Sequence, residues 1–251
     1  MDNDTPINPA APDRANAVCP KCGMLAWCLP AGMDSQQTRL IHDLTEHGRP
    51  VKRGESLHHA GAALKSLYMI RTGSVKSCFT SEDGRDQIIG FSFPGELIGV
   101  DAIHGGKHLC TVVALEESTA CGIHYGEFET LGRRIPALQH HFNSMMSREI
   151  TRNYDLMLQL GSMRAEERVA LFLLNLSSRY AARGYSSTKF NLQMSRMEIG
   201  TYLGLKIETV SRVFSSFRKE RLVAVNHKNT EIMCLKGLQE VTGDRRSGTP
   251  V

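Results

Sequence analysis

The amino-acid sequence predicts an α+β protein with an N-terminal antiparallel β-roll, one long helix and a C-terminal winged helix-turn-helix. Three patterns carry that expectation. Short strand-like runs punctuated by turn residues fill the chain from about Arg49 to Ile123, the habit of an antiparallel sandwich or roll. After Pro136, selected positions recur with alternating spacings of three and four, as in a helix that packs beside another. Between Ser195 and Leu222 two short amphipathic runs flank a glycine, as in a helix-turn-helix.

The first 18 residues are rich in Pro, Ala, Asn and Asp without apolar period, so a mobile tail is expected. They also lack the basic and apolar regions of a secretory signal. No run of about 18 apolar residues occurs that would span a membrane, and a cytoplasmic location is expected. A cysteine segment follows, giving a first division over residues 1–30. Cys19, Cys22 and Cys28 form C-x2-C-x5-C, whereas Cys78, Cys110, Cys121 and Cys234 are scattered. Disulfides seldom persist in the cytosol, so clustering points to metal binding for the first three. Cys78, Cys110 and Cys234 lie in apolar, strand-like settings and read as buried packing residues. Trp27, beside Cys28, reads as a core anchor.

Residues 31–135 are read as the roll. A short helix after Gly32 offers Leu40, Ile41 and Leu44 as its apolar face. SLYMIRTGSVKSCF, the turn SEDGRD, QIIGFSFPGELIG, TVVALEES and TACGIHY then supply strands and turns. His104, His108 and His124 lie in this region; they could serve as ligands, but a lone loop histidine reads as solvated and none is assigned a role.

Residues 136–163 form the long helix, opened by Pro136 at the position where a missing N–H costs little. Asn143, Met146, Ile150, Asn153, Met157 and Leu160 trace an a/d seam suited to a dimer. Leu138, Phe142, Met145 and Leu156 form a second apolar set that could face the roll.

Residues 164–241 carry the basic portion, and 242–251 a second expected tail. From Arg164 onward there are 15 Lys/Arg against 8 Asp/Glu, while the preceding residues carry 15 against 18. Such asymmetry suggests a polyanionic partner for the back third. AEERVALFLLNLSSRYAARG reads as a helix closed by Gly184. Ser195 and Glu198 form a capping box; Ile199, Tyr202 and Leu203 face inward, and Gly204 makes the turn. In the second helix Val210, Val213, Phe214 and Phe217 face inward. Lys206, Glu208, Thr209, Ser211 and Arg212 are left for DNA. An Arg there can grip guanine and a Glu can accept from cytosine N4. The hairpin around Val225–Ile232 would be the wing.

The string EIGTYLGLKIETVSRVFSSF resembles the recognition element of the CRP/FNR superfamily of bacterial regulators, and PGELIGVDAI in the roll extends the likeness. The roll would then be cupin-like, of the cyclic-nucleotide-binding-domain type. The cysteines and LGLKIETVSR are similar to the fumarate and nitrate reduction regulator branch. That resemblance implies oxygen sensing through a [4Fe–4S] cluster, anaerobic dimerisation and recognition of TTGAT-N4-ATCAA palindromes. Glu208, Ser211 and Arg212 match its base-reading residues, with Ile207 placed to touch a thymine methyl and Thr209 beside them.

Four thiolates usually hold such a cluster. Cys121 in ALEESTACGI resembles the segment that supplies the distant ligand, with Cys110 after GGKHL as its rival. Four thiolates would also suit zinc, whereas a CxxC disulfide leaves Cys28 without a role. Cyclic nucleotide is not expected: no arginine occurs between Arg85 and Arg133. Leu109-Cys110 stands where related sequences carry the phosphate-binding Arg-Ser pair, and Lys107 is a poorer bidentate partner than Arg. Members often carry an acidic residue at the position of Asn153, which would disfavour the dimer when the cluster is absent. RNA polymerase is the implied further partner, through loops such as Ser81–Asp86 and Ala182–Ser187. An enzyme is not expected, since no dinucleotide fingerprint or Ser–His–Asp constellation occurs.

Overall fold

The computed structural model describes residues 22, 25–81 and 83–243. The tail expected over 1–18, Cys19, and the end of the second expected tail over 244–251 lie outside them. The chain divides into two compact units between Ser147 and Arg148, inside the long helix.

The first unit is the expected roll. It begins with a one-turn helix α1 (Leu25–Cys28) and α2 (Ser35–Asp43). Asp34 caps α2 by accepting the Gln37 N–H at 2.7 Å, and Gln37 returns a bond to the Asp34 N–H, which anchors the helix start. Eight strands follow: β1 (Thr45–Val51), β2 (Ser56–His58), β3 (Ser66–Thr72), β4 (Val75–Thr80), β5 (Asp86–Ser92), β6 (Leu97–Ile98), β7 (Thr111–Ala114) and β8 (Ser118–His124). They form two four-stranded antiparallel sheets, β1-β8-β3-β6 and β2-β7-β4-β5. The turn read from SEDGRD joins β4 to β5, with the Ser81 N–H donating to the Arg85 carbonyl.

Strand side chains alternate between faces, and the roll exploits both. Ile70 in β3 joins Val51, Ala120, Val75 and Val112 in a core drawn from both sheets. Leu67, three positions earlier, belongs to a second cluster with Leu29, Ile41, Phe128, Leu138 and Phe142. That cluster joins the β1-β8-β3-β6 sheet to α2, α3 (Tyr125–Arg134) and the start of α4 (Pro136–Ser162). Fully burying one such apolar side chain contributes about 1.5–3 kcal/mol.

The second unit contains α5 (Ala165–Ala182), β9 (Lys189–Asn191), α6 (Arg196–Leu203), α7 (Ile207–Lys219), β10 (Val223–Asn226), β11 (Asn229–Ile232) and α8 (Leu235–Val241). The last strands form a small antiparallel sheet ordered β10-β11-β9. Val169, Leu173, Ile199, Leu203, Val210, Phe217 and Leu238 are fully buried. The amphipathic faces of α5, α6, α7 and α8 thus share one core.

Three expectations need correction. Cys78 is half-buried on β4 rather than a fully buried packing residue. Cys234 is exposed rather than a packing residue; its sulfur accepts the Gly237 N–H at 3.3 Å and caps α8. His108 is buried rather than solvated, at 4% exposure. Its backbone pairs with Gly61 and Ala62, which draws its side chain into the roll.

Candidate metal centre and nucleic-acid interface

The first unit gathers three of the four expected thiols. Cys22, Cys28 and Cys121 line one cavity of about 100 Å³, together with Arg71, His47, Tyr68 and apolar groups including Leu67, Phe128 and Phe142. Cys28 ends α1, and its neighbour Leu29 anchors that helix in the second apolar cluster. His141 in α4 contacts the Trp27 carbonyl at 3.2 Å, and the Trp27 ring is half-buried. Cys121 sits in β8 opposite Met69 of β3. Cys19 lies outside the described residues.

Cys110 is not in that cavity. It belongs to the core between the sheets, where its thiol points at Asp101 at 3.5 Å. Burial and the Asp101 carboxylate push its pKa up to about 12. A thiol that resists ionisation is a poor ligand precursor. Burial also raises Cys121, with nearby Cys22 adding to the rise, but the Gly48 backbone and the Arg71 charge pull it back. The cavity of Cys121 therefore holds a cation, whereas the surroundings of Cys110 hold an anion.

Arg71 is the polar feature of this cavity that the sequence reading missed. Its Nε and Nη2 are buried without a hydrogen-bond partner among the described residues. A desolvated, incompletely bonded guanidinium is costly unless an anion faces it. Thiolate ligands around a cluster supply that anion, so the donor set and its surroundings fit an iron–sulfur group.

The roll holds a second gathering, of His58, Asp101 and His108, whose potential ligand atoms lie within 4.8 Å of one another. The His58 and His108 rings stack at 3.7 Å. Burial, then the neighbouring His108, push the His58 pKa down to about 4. Burial works to raise Asp101, yet bonds from the Leu109 N–H and His108 outweigh it and hold its carboxyl below the usual range.

In the second unit, Ser195 accepts the Glu198 N–H at 3.1 Å while Glu198 accepts the Ser195 N–H at 2.7 Å. This capping box starts α6. Gly204 ends it with φ +63°, and a Cβ on Gly200 would stand 2.5 Å from the Leu205 carbonyl oxygen. One glycine supplies the left-handed turn and the other lets the turn close against α6. Val210, Val213, Phe214 and Phe217 bury one face of α7. Ile207, Glu208, Ser211 and Arg212 remain exposed, and Thr209 is half-buried. Arg212 Nη2 reaches Thr209 Oγ1 at 3.5 Å. The β10–β11 hairpin follows as a wing.

Along α4, Asn143, Ile150, Asn153, Met157 and Leu160 are exposed and Met146 is half-buried. Tyr154 and Leu158, which the heptad reading left out, are exposed by 62% and 63%. Leu138 and Phe142, by contrast, are buried in the roll's second cluster. No helix among the described residues is long and apolar enough to cross a membrane.

Comparison with known proteins matches residues 48–134 to the cyclic nucleotide-binding domain family. Residues 167–241 match the Crp-like helix-turn-helix domain family. The chain is 43% identical over 235 residues to the transcriptional regulatory protein btr of Bordetella pertussis, covering 94% of this chain and 96% of that one. It is 38% identical over 229 residues to the fumarate and nitrate reduction regulatory protein of Escherichia coli, with 91% and 92% covered. Among solved structures, FixK2 of Bradyrhizobium japonicum superposes with a TM-score of 0.71 at 27% identity, covering 77% of this chain and 96% of that one.

Proposed function

The chain belongs to the CRP/FNR family of transcription regulators, and from that premise we propose that it senses oxygen through a [4Fe–4S] cluster and controls palindromic promoters. It is a DNA-binding regulator rather than an enzyme, as its relatives are transcriptional regulators. The observation that carries the finer reading is the single cavity shared by Cys22, Cys28, Cys121 and Arg71, whose Nε and Nη2 find no partner among the described residues. Cys19 completes the ligand set.

When bound, a [4Fe–4S] cluster supplies an oxygen-labile crosslink held by four thiolates. Cys22 and Cys28 hold the N-terminal segment against β8, and Arg71 balances the thiolate charge. Leu29 presses the same segment onto Phe128, Leu138 and Phe142, which include the first turns of α4. Loss of the thiol tie loosens that packing and with it the α4 seam. The exposed Ile150, Met157 and Leu160 along α4 support a homodimer in which two copies of α7 meet successive major grooves about one turn apart. Glu208, Ser211 and Arg212, with Ile207 and Thr209, then read TTGAT-N4-ATCAA half-sites. Leu109 and the poorly ionising Cys110 offer no cation to a cyclic nucleotide phosphate. The chain works in the cytoplasm with RNA polymerase, through the loops at 81–86 and 182–187.

The test is anaerobic purification followed by iron and sulfide analysis, with a gel shift on a TTGAT-N4-ATCAA duplex before and after air. The reading expects stoichiometric iron and sulfide and a shift that air abolishes. Sulfide-free protein carrying zinc, or a shift indifferent to air, overturns it.

A further inference from the structure

We propose that the β-roll carries a second metal site, separate from the cysteine cavity, in which His58, Asp101 and His108 bind a divalent transition-metal ion. The three residues come from three segments: the end of β2, the 3-10 turn Val100–Ala102, and the loop before β7. Their potential ligand atoms nonetheless lie within 4.8 Å of one another. The set of two imidazoles and a carboxylate suits zinc, iron(II), cobalt or nickel rather than magnesium or calcium, which prefer oxygen ligands.

His58 supplies the second, independent observation. It is 9% exposed, and neither ring nitrogen makes a well-formed hydrogen bond among the described residues, the Cys110 backbone offering only a loose approach. Ring stacking on His108 accounts for the position of the imidazole. It leaves two buried polar atoms unsatisfied, which folded proteins avoid. A cation bound at one nitrogen removes part of that cost.

The other two ligands are already oriented. Asp101 Oδ2 accepts the Leu109 N–H at 2.7 Å and the Cys110 N–H at 3.3 Å, so Oδ1 is left to His108 Nδ1 at 3.3 Å. Such backbone support is the arrangement that holds a ligating carboxylate in place. His108 is fixed in turn by its own N–H to Ala62 and by the Gly61 N–H to its carbonyl. The nearly parallel rings, 17° apart, cannot both aim a lone pair at one ion. A rotation of the His58 ring resolves this at the cost of no more than its loose approach to the Cys110 backbone. The Asp101 side chain is 22% exposed, which gives the ion an entry. Bound there, the ion would tie β2 to the segment from Val100 to His108.

The test uses the full-length chain with Cys19, Cys22, Cys28 and Cys121 all replaced by Ala, so that the first cavity cannot take zinc. Zinc(II) is the probe, measured by equilibrium dialysis. The proposal expects one equivalent of zinc, bound at least about tenfold more weakly after Asp101→Asn and lost after His58→Leu with His108→Leu. In a parallel titration of that cysteine-replaced chain, the imidazole ¹⁵N resonances of His58 and His108 should shift at one equivalent while other histidines stay in place. This readout needs no substitution inside the site. Folding of each variant is checked by circular dichroism. Absence of zinc binding, retention of zinc by the folded double His variant, or shifts confined to other histidines overturns the proposal.

Discussion

Arg168 Nη1 donates to the Leu203 carbonyl at 2.9 Å, so the last residue of α6 is held by a cation on α5. The same guanidinium reaches the Met163 carbonyl through Nε and the Leu160 carbonyl through Nη2, at 2.9 and 2.8 Å. These carbonyls lie at or just beyond helix ends, where intrahelical partners run out and positive charge is favoured. One side chain therefore joins the end of α4 to the helix that precedes the turn. Arg168→Ala is expected to destabilise the C-terminal unit by about 2 kcal/mol, since bonds to charged groups contribute more than neutral ones. Lys should restore less than half, lacking the planar fork. Urea unfolding followed by circular dichroism measures both.

The two glycines of the turn should rank in an order that φ alone does not suggest. Gly204→Ala places a Cβ in the left-handed region, at about 1–2 kcal/mol. Gly200→Ala drives a Cβ against the Leu205 backbone carbonyl, and backbone cannot move aside as a side chain can. Its cost is expected at the upper end of about 1–3 kcal/mol for overpacking, with loss of DNA binding. Equal melting temperatures for the two variants would remove this explanation of the turn.

Cysteine replacement separates the two candidate fourth ligands. Cys121→Ala should abolish stoichiometric iron and sulfide in anaerobically prepared protein. Cys110→Ala should leave both in place and lower stability by about 1 kcal/mol, as expected for a small buried side chain. Iron and sulfide analysis that gave the reverse would exchange the roles of these residues.

The helix seam has its own test. Asn153 is exposed on α4 and would face its counterpart across the proposed dimer. Asn153→Asp adds like charges there, and a weakening of the air-exposed dimer of about tenfold, or 1.4 kcal/mol, is expected. Analytical ultracentrifugation reads it directly. An unchanged monomer fraction would show that position 153 does not lie at the interface.

The proposed base reading rests on exposed groups at the start of α7. Arg212→Ala should weaken binding to the TTGAT-N4-ATCAA duplex by about 1–3 kcal/mol per half-site and relax preference at one position. Fluorescence anisotropy at fixed salt, with single-base variants of the duplex, distinguishes that from uniform weakening.

Much of the fold was legible because its signals are local. Ser195 and Glu198 lie three residues apart, so their capping box depends on short-range geometry. Pro136 opens the long helix, and SEDGRD closes a hairpin, for the same kind of reason. The apolar positions of α7 obey a helical period, which left Lys206, Glu208, Thr209, Ser211 and Arg212 as its open face. The triplet of N-terminal cysteines was equally plain as a pattern, though the spacing alone left zinc, a disulfide and a cluster open.

The tertiary structure decided what depends on distant residues meeting. Cys110 and Cys121 are eleven positions apart and both sit in strand-like sequence. Only the sheet packing sends Cys110 toward the Asp101 carboxylate and Cys121 into the cavity of Cys22, Cys28 and Arg71. Cys234 looked like a packing residue until its place at the head of α8 made it an exposed cap. His58, Asp101 and His108 carry no shared motif, because strand pairing and loop closure bring them together from separate segments. The sequence by itself determined the strand-rich roll, the long helix, the helix-turn-helix with the open face of α7 and the three clustered thiols, through interactions that span a few residues, whereas α1, α3 and α8 were not read from it. Which buried charges and thiols face one another was set by the folding of the sheets, where contacts between remote segments choose the neighbours.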